Sequence, residues 1–570
     1  MGEDNTKRTG TVLVCGAGVT GMQTALELAN SGAKVYLLET RPTIGGAMSQ
    51  LDRTYENGIP AICQMAPGFD AIEQHPNIEV ITHADLLKVT KRDGSFEVSF
   101  RKNPTRVDER CIDCGACVQV CPIKPLNAFE EGLSLRTAID INSKSFNSFI
   151  YNIEKETPIC QETCPVHIDI RKYIGLIADG RYLDALAVIR EKNPLPAICG
   201  RVCNHPCEGA CNRGRQDEPV AIDALKRFVS DYELQLRKQG KLPKPSTPAI
   251  NKKLGKVAVV GSGPAGLTVA HDLALQGIAS TIFEEAPVPG GMLWLAIPEY
   301  RLPRDIIQTE VDYICDMGVE LKLNTPINKE YTVDHLLKEG YKAVFMGIGA
   351  HQGLKLGVPG EDDFQGFLDC IVFLRRVNLG DTTKPGRKVV VIGGGNSAID
   401  AARTALRLGS EEVHIVYRRT IAEMPANPWE IEEAQKEGVK ISLLAAPVEI
   451  IGENGKVVAM KCIRMTLGKL DASGRRRPVP LEGSEFTIET DIIVPSISQQ
   501  PNLDFLHEGH GLSINKWNSF DINSRTMQTN RPEIFAGGDS VTGPATVIQA
   551  IAAGHQAAAS MARFVRGEKI

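Results

Sequence analysis

The 570-residue chain has no apolar run near the roughly 18 residues that a membrane-spanning helix needs. Its first residues, MGEDNTKR, lack the apolar core of a secretory signal. Charge of one sign is also missing: 64 Lys and Arg against 69 Asp and Glu leave a formal net charge of −5. A nucleic-acid partner would favour a basic face, so none is expected. No low-complexity tract interrupts the chain. These absences lead to the expectation of a cytoplasmic globular protein, without membrane insertion and with roughly four domains at about 150 residues each.

Cysteine, by contrast, is plentiful. Ten of the 15 cysteines lie between Cys111 and Cys211, a clustering that points to metal rather than to disulfides in a large chain expected to carry no export signal. The other five (Cys15, Cys63, Cys315, Cys370 and Cys462) are scattered and read as small core residues.

An internal repeat organises the rest. Residues 11–46 and 256–291 each run apolar strand, GxGxxG, apolar-periodic helix, second strand, acid and GG. The first glycine precedes the acid by 23 residues in both, and the acid precedes GG by six in both. Such glycines admit a tight turn and close backbone approach to a pyrophosphate at a helix N-terminus, while the acid accepts from ribose hydroxyls. In the second unit these positions are Gly261, Gly263, Gly266, Glu284, Gly290 and Gly291, the candidate FAD site. In the first they are Gly16, Gly18, Gly21, Glu39, Gly45 and Gly46. That first unit has no strand–GGD closure before the cysteines begin, so it either holds a second FAD completed elsewhere or packs as a remnant.

A third strand–glycine–helix unit begins at residue 387, with Gly393, Gly395, Asn396, Ser397 and Ala398 at its turn. Counting 23 residues from Gly393 reaches Val416, where no acid stands; Arg418 and Arg419 follow. Guanidinium grips a 2′-phosphate that a carboxylate would repel, so this unit is expected to take NADPH. Two arginines at a strand end are also read as solvated surface charge.

Cys111, Cys114, Cys117 and Cys121, followed by proline, have the C-x2-C-x2-C-x3-C-P spacing of a ferredoxin cubane; zinc is the rival. Cys160, Cys164, Cys199, Cys203, Cys207 and Cys211 exceed one 4Fe–4S cluster and fall short of two. Two clusters are therefore expected, with three left open.

Near the C-terminus AGGDS leads into an alanine-rich helix. Split flavoproteins of the glutathione-reductase-like class close their FAD domain this way, and that resemblance implies Gly538 and Asp539 as FAD ligands, with Ala545, Thr546 and Val547 approaching the ring. More widely, residues 158–570 resemble the small subunit of NADPH-dependent glutamate synthase, the large subunit of NADH-dependent ferredoxin:NADP oxidoreductase and the N-terminal half of dihydropyrimidine dehydrogenase. The resemblance is carried by LPAICGRVCNHPCEGAC, AIDALKRF, GGMLWLAIPEYRLP, IGGGNSAID, YRR and AGGDS. Residues 11–150 resemble the N-terminal part of a heterodisulfide reductase, through VTGMQTALELANSGAKVYLLETRPTIGG, LDRTY and the ferredoxin run.

The resemblance implies an α/β fold: a split FAD domain with an inserted NADP domain, preceded by a partial FAD-like unit, a ferredoxin-type loop and a helical iron–sulfur domain. The corresponding segments are 1–105, 106–150, 151–238, a linker at 239–255, then 256–380, 381–490 and 491–570. It also implies that Glu299 and Arg301 line the nicotinamide approach. In that family one cluster uses the positions of Cys160 and Cys211 plus two upstream cysteines absent here. The other uses those of Cys164, Cys203 and Cys207 plus a Gln or Glu, whose place Lys226 takes.

The expected activity is hydride transfer between NADPH and FAD, then one-electron transfer through clusters to a partner protein. Membership of an electron-bifurcating complex and a non-catalytic cluster-bearing scaffold are the alternatives. Neither GG segment is followed by a C-x4-C pair, which argues against a disulfide reductase.

Overall fold

The computed structural model describes residues 10–55, 58–92, 95–103, 116–121, 133–134, 137, 139–140, 152–153, 157–471 and 474–570. The chain divides into two units, Met1–Thr157 and Pro158–Ile570.

In the first unit, β1 (Thr11–Cys15), α1 (Val19–Asn30) and β2 (Lys34–Leu38) follow the apolar periodicity of the sequence. After α2 (Ala61–Gln74) comes β3 (Ile78–Ile81), and the three strands form a parallel sheet in the order β1, β2, β3. Parallel neighbours need a crossover, and α1 and α2 supply it while burying Met22, Ala25, Met65, Phe69 and Ile72 against Val35 and Leu37. A long antiparallel hairpin, β4 (Ala84–Arg92) and β5 (Ser95–Lys102), follows.

The second unit opens with a short helix, Ile159–Thr163, and continues through helices α3 (Ile170–Ala178), α4 (Tyr182–Arg190), α5 (Pro196–Val202) and α6 (Ile222–Lys238). The repeat then returns as β6 (Lys256–Val260), α7 (Pro264–Leu275) and β7 (Ala279–Phe283), followed by β8 (Glu320–Lys322) and β9 (Tyr341–Met346). A second parallel sheet is inserted next: β10 (Lys388–Ile392), α8 (Asn396–Arg407), β11 (Glu412–Tyr417), α9 (Pro428–Lys436) and β12 (Lys440–Leu443). An antiparallel ribbon grows from it as β13 (Ala445–Glu453), β14 (Lys456–Leu470), β15 (Arg476–Pro480) and β16 (Phe486–Glu489). Strand β17 (Ile492–Pro495) then completes the inserted sheet, in the order β12, β11, β10, β17. The chain returns through β18 (Ile534–Ala536), which pairs with β9 across almost 190 residues, and ends in helix α10 (Val547–Val565). The resulting order β8, β7, β6, β9, β18 leaves β6 central and buried on both faces, as an all-parallel sheet requires.

One hydrophobic core runs from the cysteine-rich helices into this sheet, joining Cys164, Leu186, Ile198 and Val229 to Val257, Leu267 and Ile551. A hydrogen-bonded contact reinforces it. The buried Glu310 carboxylate accepts from the Ala197 and Ile198 N–H groups, at 3.0 and 3.1 Å, capping α5. Of the scattered cysteines, Cys370 and Cys462 are buried as expected and Cys315 is half-buried, but Cys15 and Cys63 are exposed. Cys15 ends a strand with one paired edge among the described residues, and Cys63 lies off the α2 face that buries Ala61, Met65 and Phe69.

Candidate functional site

The turn after β6 builds one half of the site. Gly261, at φ +98°, passes the chain into α7, and a Cβ on Gly266 would stand 2.0 Å from the Gly261 carbonyl oxygen. Only glycine lets the helix start this close to the strand. Gly291 closes the loop from the other side, where a Cβ would meet the Gly263 Cα at 3.1 Å. Glu284, at the end of β7, accepts from the Ser262 N–H (2.9 Å) and hydroxyl (2.6 Å) and from the Ala286 N–H (2.8 Å). Because β18 lies beside β9, Gly538 and Asp539 reach the same place. Burial pushes the Asp539 carboxyl up to about 6, although the Ala545 N–H, 3.2 Å away, works against this. Thr546 caps α10, exchanging hydrogen bonds with Gln549.

These groups line a single cleft of about 1480 Å³. Gly261, Gly263, Glu284, Gly291, Gly538, Asp539, Ala545, Thr546 and Val547 face it from one side; Gly393, Gly395, Asn396, Ser397, Arg418 and Arg419 face it from the inserted sheet. Gly266, Gly290 and Ala398 lie behind it in packing positions. The glycine cradle and the volume fit a dinucleotide on each side.

The two arginines after β11 differ. Arg418 is exposed at the cleft. Arg419 is 4% exposed; it donates to the Arg476 carbonyl oxygen and pairs with Asp471, each at 2.7 Å. Glu299 is exposed and outside the cleft lining, between Ile297 and Arg301, which belong to it. Arg301 lines the cleft, but its guanidinium is held by Asp400 at 2.6 Å and Glu430 at 3.0 Å. Glu430 pairs in turn with Arg403 at 2.7 Å. This buried network ties the Arg301 loop to α8 and α9, and burial pushes the Asp400 carboxyl up to about 7.

The cysteine-rich helices supply a third wall. Val202 and Asn204 line the cleft, and between them Cys203 is buried, its sulfur accepting from the His205 N–H at 3.4 Å. The His205 ring stacks on Trp429 of α9, with centroids 4.6 Å apart. Cys164, Cys203 and Cys207 feel one another's charge, and burial pushes Cys207 up to about 12. Such thiols lose their protons on binding metal. Burial raises the Cys160 thiol, and the Cys211 sulfur adds to this. Burial would raise Cys211 too, but N–H groups of Val220, Arg213 and Gly214 outweigh it and leave the thiol below its ordinary value. Burial opposes the Lys226 charge; Asp223 at 2.7 Å, with Cys203 and Cys199, outweighs it and keeps the ammonium charged. Among the described residues no three His, Cys, Asp or Glu side chains converge tightly enough for a single ion. The paired thiols suit a cubane, which spreads its ligands further. In the ferredoxin run, Cys121 is buried and Cys117 half-buried; Cys111 and Cys114 lie outside the described residues.

Comparison with known proteins agrees with this layout. The "Pyridine nucleotide-disulphide oxidoreductase" family model matches residues 255–554. "Dihydropyrimidine dehydrogenase domain II, 4Fe-4S cluster" matches 153–238, "FAD dependent oxidoreductase" 11–58 and "4Fe-4S binding domain" 104–126. The chain is 44% identical over 429 residues to the NADP(+)-dependent formate dehydrogenase subunit beta of Moorella thermoacetica, covering 72% of this chain and 60% of that one. It is 43% identical over 443 residues to the NADPH-Fe(3+) oxidoreductase subunit beta of Geobacter sulfurreducens (73% and 65%). It is 33% identical over 419 residues to the glutamate synthase [NADPH] small chain of Escherichia coli (70% and 87%). The alignments thus span only 60% and 65% of the first two relatives. No described helix is long and apolar enough to cross a membrane. With more than half its length in one family model and most of a glutamate synthase small chain aligned to it, this chain belongs to the pyridine nucleotide-disulphide oxidoreductase family, as an FAD- and NADPH-binding member that carries 4Fe–4S domains.

Proposed function

We propose that this chain takes hydride from NADPH and delivers single electrons to a partner protein, as one component of a larger assembly. FAD, when bound, supplies the conversion between two-electron and one-electron transfer that nicotinamide and iron–sulfur clusters cannot make directly. The protein's task is positional. Gly261, Gly263 and Gly291 would let the backbone approach the FAD pyrophosphate, Glu284 and Asp539 would accept from its hydroxyls, and the N-terminus of α10 would serve its ring end. Gly393, Gly395, Asn396 and Ser397 would cradle the NADPH pyrophosphate, and Arg418 would take the 2′-phosphate. Arg301, neutralised by Asp400 and Glu430, is read as a strut that sets the angle between the two nucleotide sites rather than as a contact to the nicotinamide. Cys203, directly behind the cleft wall, is the exit toward the clusters.

The observation that carries this reading is the shared cleft, lined by both nucleotide turns and by the two residues flanking Cys203. Anaerobic NADPH oxidation coupled to a one-electron dye tests it. The expected result is dye reduction that Cys203→Ser slows while flavin reduction persists; a wild-type protein that does not oxidise NADPH would refute it. A second reading, an additional FAD in Met1–Thr157, is favoured by the intact glycine cradle there and is tested by flavin stoichiometry.

A further inference from the structure

The 2′-phosphate site contains more than the strand-end arginines. We infer that Arg475, on the turn between β14 and β15, is a second 2′-phosphate contact, and that Arg419 is the strut that holds the turn at the cleft. This inference rests on the NADPH reading above.

Arg475 lines the same cleft as Arg418 and Arg419 although it is 57 residues beyond Arg418 in sequence. Its position follows from Arg419. The buried guanidinium pairs with the Asp471 carboxylate on one side of the turn and donates to the Arg476 carbonyl oxygen on the other. Asp471 also accepts from the Arg475 N–H at 3.2 Å, and its own N–H donates to the Arg475 carbonyl oxygen at 2.7 Å. Both flanks of Arg475 are therefore tied to the residue next to Arg418. The Arg419–Asp471 pair is internally neutral and adds little to anion binding. Arg418 and Arg475 both line the cleft, and a guanidinium matches a phosphate monoester, which carries about −1.5 to −2 at neutral pH. NADH offers only a hydroxyl there, so the pair is a device for selectivity.

The test is the kcat/KM ratio of NADPH to NADH for the full-length enzyme, with competitive inhibition by 2′,5′-ADP and 5′-AMP. Arg475→Ala should lower that preference by about 10-fold or more, through the KM for NADPH rather than kcat. It should weaken 2′,5′-ADP without weakening 5′-AMP. Arg419 is buried and its loss can unfold the ribbon, so Asp471→Asn, which removes the same ion pair from its more exposed partner, tests the strut. It should reproduce the Arg475→Ala pattern in milder form. An unchanged preference in either variant, or equal losses for both nucleotides, overturns the inference. A wild-type enzyme that fails to oxidise NADPH at all overturns the underlying reading instead.

Discussion

The two copies of the nucleotide-binding repeat have nearly the same turn and very different surroundings. Gly16 and Gly261 sit at φ +96° and +98°. A Cβ on Gly21 would meet the Gly16 oxygen at 1.8 Å, one on Gly266 the Gly261 oxygen at 2.0 Å. Glu39 accepts from the Ala17 N–H as Glu284 does from the Ser262 N–H. Yet β1 pairs only with β2 among the described residues, and Val12, Leu13 and Val14 stay half-buried, whereas β6 lies between β7 and β9 with Val257 to Val260 buried. The cradle is a local structure that about 35 residues specify. A flavin site is not local, because the strand and helix that close it come from the far end of the chain.

This contrast can be broken most sharply at the third glycine. Gly266→Ala forces a methyl into the Gly261 carbonyl and should eliminate FAD that NADPH can bleach, whereas Gly21→Ala should leave that bleaching intact; absorbance spectra of the two purified variants decide. If Gly21→Ala also abolishes bleaching, electrons enter through the first copy. Next in size, Arg418→Ala should raise the KM for NADPH about 10- to 100-fold and that for NADH far less, from the loss of a charge-assisted contact worth about 1.5–3 kcal/mol. Steady-state kinetics with both nucleotides measures it.

A smaller effect separates the second copy from the first through Glu310, on the helix Arg304–Asp316, which joins the second copy's domain to the cysteine helices. Burial pushes its carboxyl up to about 7 despite Arg190 and two N–H donors. A folded-state value above the unfolded one means that the fold binds the proton more tightly. Stability should therefore fall as pH rises from about 4.3 to about 7 and level off above. Glu310→Gln should flatten that decline, which denaturation midpoints at pH 5 and pH 8 report. The smallest effect on the flavin is expected from Cys114→Ser: iron content should fall while NADPH bleaching stays unchanged.

What could be read in advance follows the same division between local and distant. Gly261, Glu284 and Gly393 could be picked out because each sits in a short pattern whose geometry the backbone fixes within a turn or two, whereas Asp539 was reached through the resemblance carried by AGGDS; the structure puts all four at one cleft. The fates of Arg419 and Arg301 could not be picked out, since their partners, Asp471 and Asp400, lie 52 and 99 residues further on and no periodicity announces an ion pair. The same holds for Val202 and Asn204: the cysteines around them were conspicuous, but only the shared core places that loop against the cleft. Glu299, two residues before Arg301, is exposed and outside the cleft lining.

The most direct measurement is an anaerobic titration of the full-length protein with NADPH, following flavin absorbance in wild type and in Asp539→Ala. Stoichiometric bleaching in the wild type, lost when Asp539 is replaced, is the predicted result. A wild-type flavin that stays oxidised, or bleaching that survives the loss of Asp539, would contradict a single FAD enclosed by the 261 and 539 segments within reach of NADPH at 393.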